Sequence, residues 1–174
     1  MLMISLLRHV KARRVFEFGT FMGGNTLNMA LNTPGSAEIF TLDLSEESLS
    51  GLDQHPSDAP FTKMHFESRA ALDFAGSPVE EKITTLTGNS LTFDFTPWKD
   101  SVDFIFIDGG HDLETVESDT RNALQMVVRN KPACIVWHDY RNSDYPELST
   151  YLDRVSESLG ISHVEDTMLC FSVT

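Results

Sequence analysis

The chain is short of positive charge: 13 Lys and Arg stand against 26 Asp and Glu, a formal net charge of −13. That balance disfavours nucleic acid as a partner, because phosphate binding needs a basic surface. It disfavours an anionic membrane surface equally. A small neutral or cationic ligand fits better. Cysteine is scarce as well: Cys134 and Cys170 are too few for a disulfide framework or a zinc site. Each lies in an apolar, strand-like segment, where a buried and inert thiol is expected. No apolar run approaches the length of a membrane span. The N-terminal MLMISLL has no basic stretch before it and is followed by RHVKARR. Leu2, Leu6, Leu7 and Val10 recur at helical spacing, so this segment reads as the inner face of a short helix rather than a signal peptide. A cytoplasmic location is the default expectation. There are no internal repeats and no low-complexity tracts. At 174 residues the chain is expected to form one domain, residues 1–174, with a sizeable core.

What is present is an alternation of short β-type runs with helix-type stretches. RVFEFG (14–19), EIFTLDL (38–44), KITTLTG (82–88), VDFIFID (102–108) and ACIVWHD (133–139) read as strands. NTLNMALN (25–32), residues 113–129 and PELSTYLDRVSESL (146–159) read as helices, the last with Pro at its start. Continuous apolar runs imply strands covered on both faces, and their alternation with helices implies a doubly wound α/β sheet. SHVEDTMLCFSV (162–173) leaves no room for a crossover helix, so its two strands should be antiparallel. Between 45 and 81, DQHPSDAPF is expected to be an exposed loop and residues 67–74 a helix.

In such sheets ligands bind at the carboxyl ends of the strands. The strands end in Gly19, Asp43, GNS (88–90), Asp108 and HDY (138–140), so polar groups converge on one edge from five strands. Gly19, Gly23 and Gly24 would let the backbone approach a ligand and turn into a helix N-terminus, or would simply form a tight turn. Asp43 could accept the hydroxyls of a ribose, or cap a following turn. The two signals lie 24 residues apart, which favours the nucleotide reading of both. The dinucleotide fingerprint G-x-G-x-x-G is absent, since Thr20-Phe21-Met22 separate Gly19 from Gly23.

FEFGTFMGGNT resembles motif I of class I S-adenosylmethionine (SAM)-dependent methyltransferases. VDFIFIDGGHDLETVESDTRNAL followed by ACIVWHDY resembles their small-molecule O-methyltransferase group, macrolide-sugar (macrocin-type) enzymes first and catechol O-methyltransferases more distantly. The likeness spans residues 10–174 and implies a Rossmann-like, seven-stranded, mostly parallel sheet whose last pair is antiparallel. It places Glu17, Gly19, Thr20 and Gly23 in the cofactor-binding loop, with Glu17 and Gly19 at the methionine end of SAM. It sets Asp43 on the ribose and Asn89 and Ser90 near the adenine. Relatives commonly carry Asp at position 89. Asp108 and Asp139 stand where such enzymes hold a divalent cation, usually Mg²⁺, with Asp108 also next to the cofactor. His111 stands where the macrolide-type relatives carry a histidine general base.

The chemistry is consistent with these residue types. Methyl transfer from a sulfonium needs an oxygen aligned with the S–CH₃ bond, and a bound cation lowers the pKa of a hydroxyl while fixing its position. His138 precedes Asp139 where a second oxygen ligand is common. An imidazole suits zinc, iron or nickel better than magnesium, so His138 is either a metal ligand or a residue that orients Asp139 or fills the pocket. Asp108 and His111 could instead cap the helix that follows them. Trp98, Tyr140 and Tyr145 fit packing or surface-loop roles better than the pocket, and His55, His65 and His163 read as surface or structural. The expected acceptor is a small molecule, with an open cleft or one closed by a second subunit. A nicotinamide-dependent oxidoreductase, or a non-catalytic cofactor-binding protein of the same fold, are the alternatives.

Overall fold

The computed structural model describes residues 2–49, 55–68 and 71–174. Its seven strands are β1 (Arg14–Phe18), β2 (Glu38–Asp43), β3 (Ile83–Thr87), β4 (Phe104–Ile107), β5 (Cys134–Trp137), β6 (Ser162–His163) and β7 (Cys170–Val173). Its helices are α1 (Leu2–His9), α2 (Gly24–Leu31), α3 (Glu46–Leu49), α4 (Ala59–Ser68), α5 (Leu113–Met126) and α6 (Pro146–Leu159). The strands form one sheet in the order β3-β2-β1-β4-β5-β7-β6. The first five are parallel, with Val15 opposite both Ile39 and Phe104, and Ile105 opposite Ile135. β7 runs antiparallel to β5 and β6, as the missing crossover requires.

The core is split by the sheet. Alternate side chains point to opposite faces, so Phe16, Phe18, Ile105, Ile107, Ile135 and Trp137 pack on one side with α5 and α6. Val15, Phe104, Phe106, Cys134 and Val136 pack on the other with α1 and α2. The runs are apolar throughout β4 and β5, and broken within β1 by the buried Glu17, because both faces of these strands are covered. β3, at the sheet edge, has no fully buried residue. Cys134 and Cys170 are free, buried thiols, and burial pushes both up to about 12. Among the described residues no helix is long and apolar enough to cross a membrane.

The elements start and stop for local reasons. Asp112 caps α5 by accepting the Thr115 N–H at 3.0 Å and the Thr115 hydroxyl at 2.6 Å. α5 ends at Met126 rather than at residue 129, because Val127 turns extended and makes a parallel bridge to Val102. That bridge also holds Val102 outside β4, which is shorter than its apolar run. α6 opens with Pro146, where the missing N–H costs nothing, and closes on Gly160 at φ 62°.

The segment between β2 and β3 departs from expectation. The helix lies over Ala59–Ser68, starting inside the run expected to be a loop and ending just inside the stretch expected to be helical, and residues 71–74 are not helical. Pro60 is tolerated in a first helical turn, and Thr62 N–H bonds back to the Asp58 carbonyl at 3.0 Å. Asp73 N–H instead binds the Met22 carbonyl at 2.8 Å, and the buried Phe74 ring fills the space over Gly23. Residues 53–54 of the expected loop and 69–70 of the expected helix lie outside the described residues.

Trp137 shows what anchors α5 to the sheet. Its buried indole N–H donates to the Thr120 hydroxyl at 3.0 Å. Replacing Thr120 with Val leaves that donor unpaired, so urea denaturation should show a loss of about 1–3 kcal/mol. The urea dependence itself should not change.

Candidate active site

The carboxyl ends of β1, β2, β3, β4 and β5 open on one cavity of about 620 Å³. Gly19 begins its wall. At φ 88° it adopts a backbone that side chains disfavour, and a Cβ there would stand 2.1 Å from the Asp108 carbonyl oxygen. The loop can therefore pass directly beside the end of β4. Gly23, at φ 86°, is forced by a different neighbour: a Cβ would meet the Phe74 ring at 2.8 Å. Gly23 thus sets the loop's packing rather than lining the cavity.

Asp43 holds the same loop from the other side. Its Oδ2 accepts the N–H groups of Thr20 (3.0 Å) and Phe21 (2.8 Å), and its Oδ1 accepts that of Leu44 at 2.7 Å. A carboxylate has about four acceptor sites, so Asp43, on the cavity wall, keeps capacity for one further donor. Thr20 is buried, its hydroxyl 2.6 Å from that of Thr41. Glu17 lies beneath the loop, fully buried, and receives the hydroxyls of Thr26 and of Thr41 (2.7 Å) on one carboxyl oxygen. Burial raises its pKa to about 8, so at neutral pH it is a neutral acid supporting the loop. Asn89 and Ser90 line the cavity; the Asn89 side-chain oxygen accepts the Leu91 N–H at 2.9 Å.

At the ends of β4 and β5 the charges crowd together. Asp108, His111 and Asp139 bring ligand atoms within 4.8 Å of one another. Burial raises the pKa of Asp108 to about 6, with Asp139 adding to the rise and His138 opposing it. Asp139 adopts a left-handed backbone (φ 57°), unusual outside glycine but tolerated by Asp. Burial opposes its ionisation, but hydrogen bonds from His111, His138 (2.7 Å) and Asn142 (2.6 Å) hold it well below the usual carboxylate range. His138 is thus bonded to Asp139 and lies 3.4 Å from Asp108. That bond raises its own pKa.

His111 sits between two carboxylates, Nδ1 2.9 Å from Asp58 and Nε2 3.0 Å from Asp139. Burial alone would depress its pKa, but these two bonds lift it to about 9. As arranged, the ring is a cation at neutral pH, whereas its ordinary pKa had suggested a free base. A divalent cation fits this cluster chemically. It would offset two adjacent, largely buried carboxylates; two carboxylate oxygens suit magnesium, and an imidazole third donor favours a softer transition metal.

Several wall residues carry no motif. Asp58, Tyr145 and His55 line the cavity, with Tyr145 stacked on His111 at 4.0 Å and His55 edge-on to Tyr145 at 5.0 Å. His65 is also on the wall, whereas Tyr140 and Trp98 are not. Asp119 is 1% exposed and faces the cavity with Oδ1 unpaired; burial raises its pKa to about 7, against a bond from Ser90. It was detectable in sequence: Val116, Asp119, Ala123 and Met126 form the buried stripe of α5, and a carboxylate there is anomalous. Asp58 gave no such signal.

An open α/β sheet with this strand order, a glycine turn after β1 and an acidic end to β2 defines a nucleotide-cofactor enzyme of the methyltransferase type. A family model described as "Methyltransferase domain" matches residues 16–140, and the chain belongs to that family. This agrees with the resemblance to SAM-dependent methyltransferases carried by its motifs. No curated protein sequence matches. Among solved structures, a Staphylococcus aureus protein assigned as a caffeoyl-CoA O-methyltransferase aligns at TM-score 0.70 and 14% identity, over 99% of this chain and 81% of that one. The O-methyltransferase TomG of Streptomyces achromogenes, solved with SAM, aligns at TM-score 0.62 and 19% identity over 99% and 76%. A Bacillus cereus O-methyltransferase, solved with S-adenosylhomocysteine (SAH), aligns at TM-score 0.63 and 16% identity over 99% and 79%.

Glu17 gives the site a pH signature. Its folded pKa of about 8 exceeds the ordinary 4.5, so the folded protein holds a proton that the unfolded chain releases. The stability tied to it is present in full below about 4.5 and is lost as pH rises through about 8. In Glu17→Gln, thermal midpoints measured across that range should fall less steeply than in the unmodified protein. They should not become flat, because Asp108 and Asp119 act in the same sense.

Proposed function

We propose that residues 1–174 act as one SAM-dependent domain that transfers a methyl group to a hydroxyl of a small molecule, with Gly19, Asp43, Asn89 and Ser90 forming the cofactor wall. The observation that carries this reading is the cluster of Asp108, His111 and Asp139, within 4.8 Å, on the same cavity as Gly19 and Asp43. The SAM and SAH bound in the TomG and Bacillus cereus structures support the choice of cofactor. Gly19 lets the backbone approach the sulfonium end, and Asp43 offers its remaining acceptor capacity to a ribose hydroxyl. Asp108 and Asp139, with His138 as a nitrogen donor, would hold a divalent cation. Such a cation, when bound, supplies a lowered pKa and a fixed orientation for the acceptor hydroxyl.

With Asp139 engaged by such a cation, the bond that keeps a proton on His111 Nε2 would be lost, and that nitrogen is the group assigned to take the hydroxyl proton. Among the described residues no Lys or Arg lines the cavity, while Glu114 and Asp144 stand exposed at its wall. That supports a neutral or cationic acceptor and counts against one carrying phosphate. The exposed rings of Phe21 and Phe61 give such an acceptor a surface to lie on.

Two measurements test the reading. SAH should bind in calorimetry, and Asp43→Ala should weaken it about 100-fold, the effect of losing one or two charge-assisted hydrogen bonds. Undiminished binding in the variant would remove Asp43 from the cofactor site. Methyl transfer to a panel of small hydroxylated compounds should stop in excess EDTA and return when Mg²⁺, Mn²⁺ or Zn²⁺ is added. Full activity in EDTA would refute the metal alone.

A further inference from the structure

Asp58 lies in the segment between β2 and β3, 53 residues from His111, and belongs to none of the strand-end motifs. An aspartate one residue before a helix ordinarily spends its carboxylate on that helix's first turn. Here both oxygens are directed elsewhere. Oδ1 lies 2.9 Å from His111 Nδ1 and accepts the Tyr145 hydroxyl at 2.7 Å, and Oδ2 accepts the His111 backbone N–H at 3.2 Å. Tyr145 in turn lies flat on the imidazole, its ring 4.0 Å away and tilted by 11°. The ring of His111 is therefore fixed in plane by Asp58 and over its face by Tyr145. Its second nitrogen is directed at Asp139 (3.0 Å).

The two ring nitrogens of a histidine are distinct, and the bond made by one decides what the other can do. In the neutral ring a carboxylate at Nδ1 keeps the proton there and leaves Nε2 as the atom that can accept one. This is the arrangement in which a base is oriented by a third group. We propose that Asp58 is the positioning residue for His111, holding Nδ1 as donor so that Nε2 faces the Asp108–Asp139 side, where the acceptor oxygen would lie. This rests on the role assigned to His111 under the proposed function. The Asp58 backbone lies in the cavity wall, its N–H donating to the His55 carbonyl at 2.9 Å and its carbonyl accepting the Thr62 N–H at 3.0 Å.

The test uses protein labelled with ¹⁵N-histidine, with the His111 ring signals assigned by their loss in His111→Gln. In the unmodified protein the Nδ1–H proton should appear far downfield, as expected for a bond to a carboxylate. Asp58→Asn should remove that downfield signal and lower kcat about 10–100-fold, with SAH affinity and thermal midpoint retained. Asp58→Glu should recover part of both. Tyr145→Phe, which keeps the stacked ring and deletes only the bond to Asp58, should shift the Nδ1–H signal less than Asp58→Asn does. Ring signals unchanged in Asp58→Asn would overturn the proposal. So would a change that appears only together with lost SAH binding and a collapsed midpoint in both Asp58 variants, because that marks a purely structural tie. Undiminished turnover in His111→Ala would instead remove the base from the underlying reading.

Discussion

Gly19 passes so close to the end of β4 that a Cβ there would stand 2.1 Å from the Asp108 carbonyl oxygen. Everything at the carboxyl edge of the sheet follows from this backbone approach. With β1 and β4 adjacent at the centre of the sheet, the loop after β1 must turn away over β2. Asp43 receives it there with two backbone N–H bonds, and Glu17 supports it from below through Thr26 and Thr41. The floor is then free for the ends of β4 and β5, which set Asp108, His111 and Asp139 facing that loop. A larger residue at position 19 would push against main chain, which cannot yield as a flexible side chain can.

Electrostatics divides the cavity into two kinds of acid. Glu17 and Asp119 are buried without a cationic partner, and burial pushes both pKa values upward. Glu17 is a neutral hydrogen-bonding group near physiological pH, whereas Asp119, raised to about 7, titrates close to it. Asp58 and Asp139 lie against imidazoles and are held below the usual range despite burial. Asp108 stands between these classes, raised to about 6 by burial while His138 opposes the rise. A site with acids of both kinds can present fixed negative charge at one end and uncharged polar contacts at the other.

Much of this was legible in the sequence because it depends on short-range rules. The continuous apolar runs of β4 and β5, and the nearly continuous one of β1, state that both sheet faces are covered, and SHVEDTMLCFSV is too short for anything but an antiparallel return. The residues ending each strand, from Gly19 to Asp139, follow from where α/β sheets bind ligands. What stayed illegible depends on contacts between distant segments. Asp58 meets His111 across 53 positions and Tyr145 across 87, and no local pattern encodes either meeting. The helix at Ala59–Ser68 was missed because its apolar pattern is weak and Pro60 reads as a breaker, although a first turn accepts it. His111 was placed in sequence but not its charge, which is set by two carboxylates, one of them Asp58.

Asp139 occupies a left-handed backbone that glycine would adopt more easily, and its carboxylate stands beside that of Asp108. Replacement by glycine would relieve both the conformational strain and the like-charge crowding. The same change would leave the imidazoles of His111 and His138 and the amide of Asn142 without the carboxylate they share. Asp139 is thus kept by the bonds it gathers, at a backbone cost that glycine would not incur.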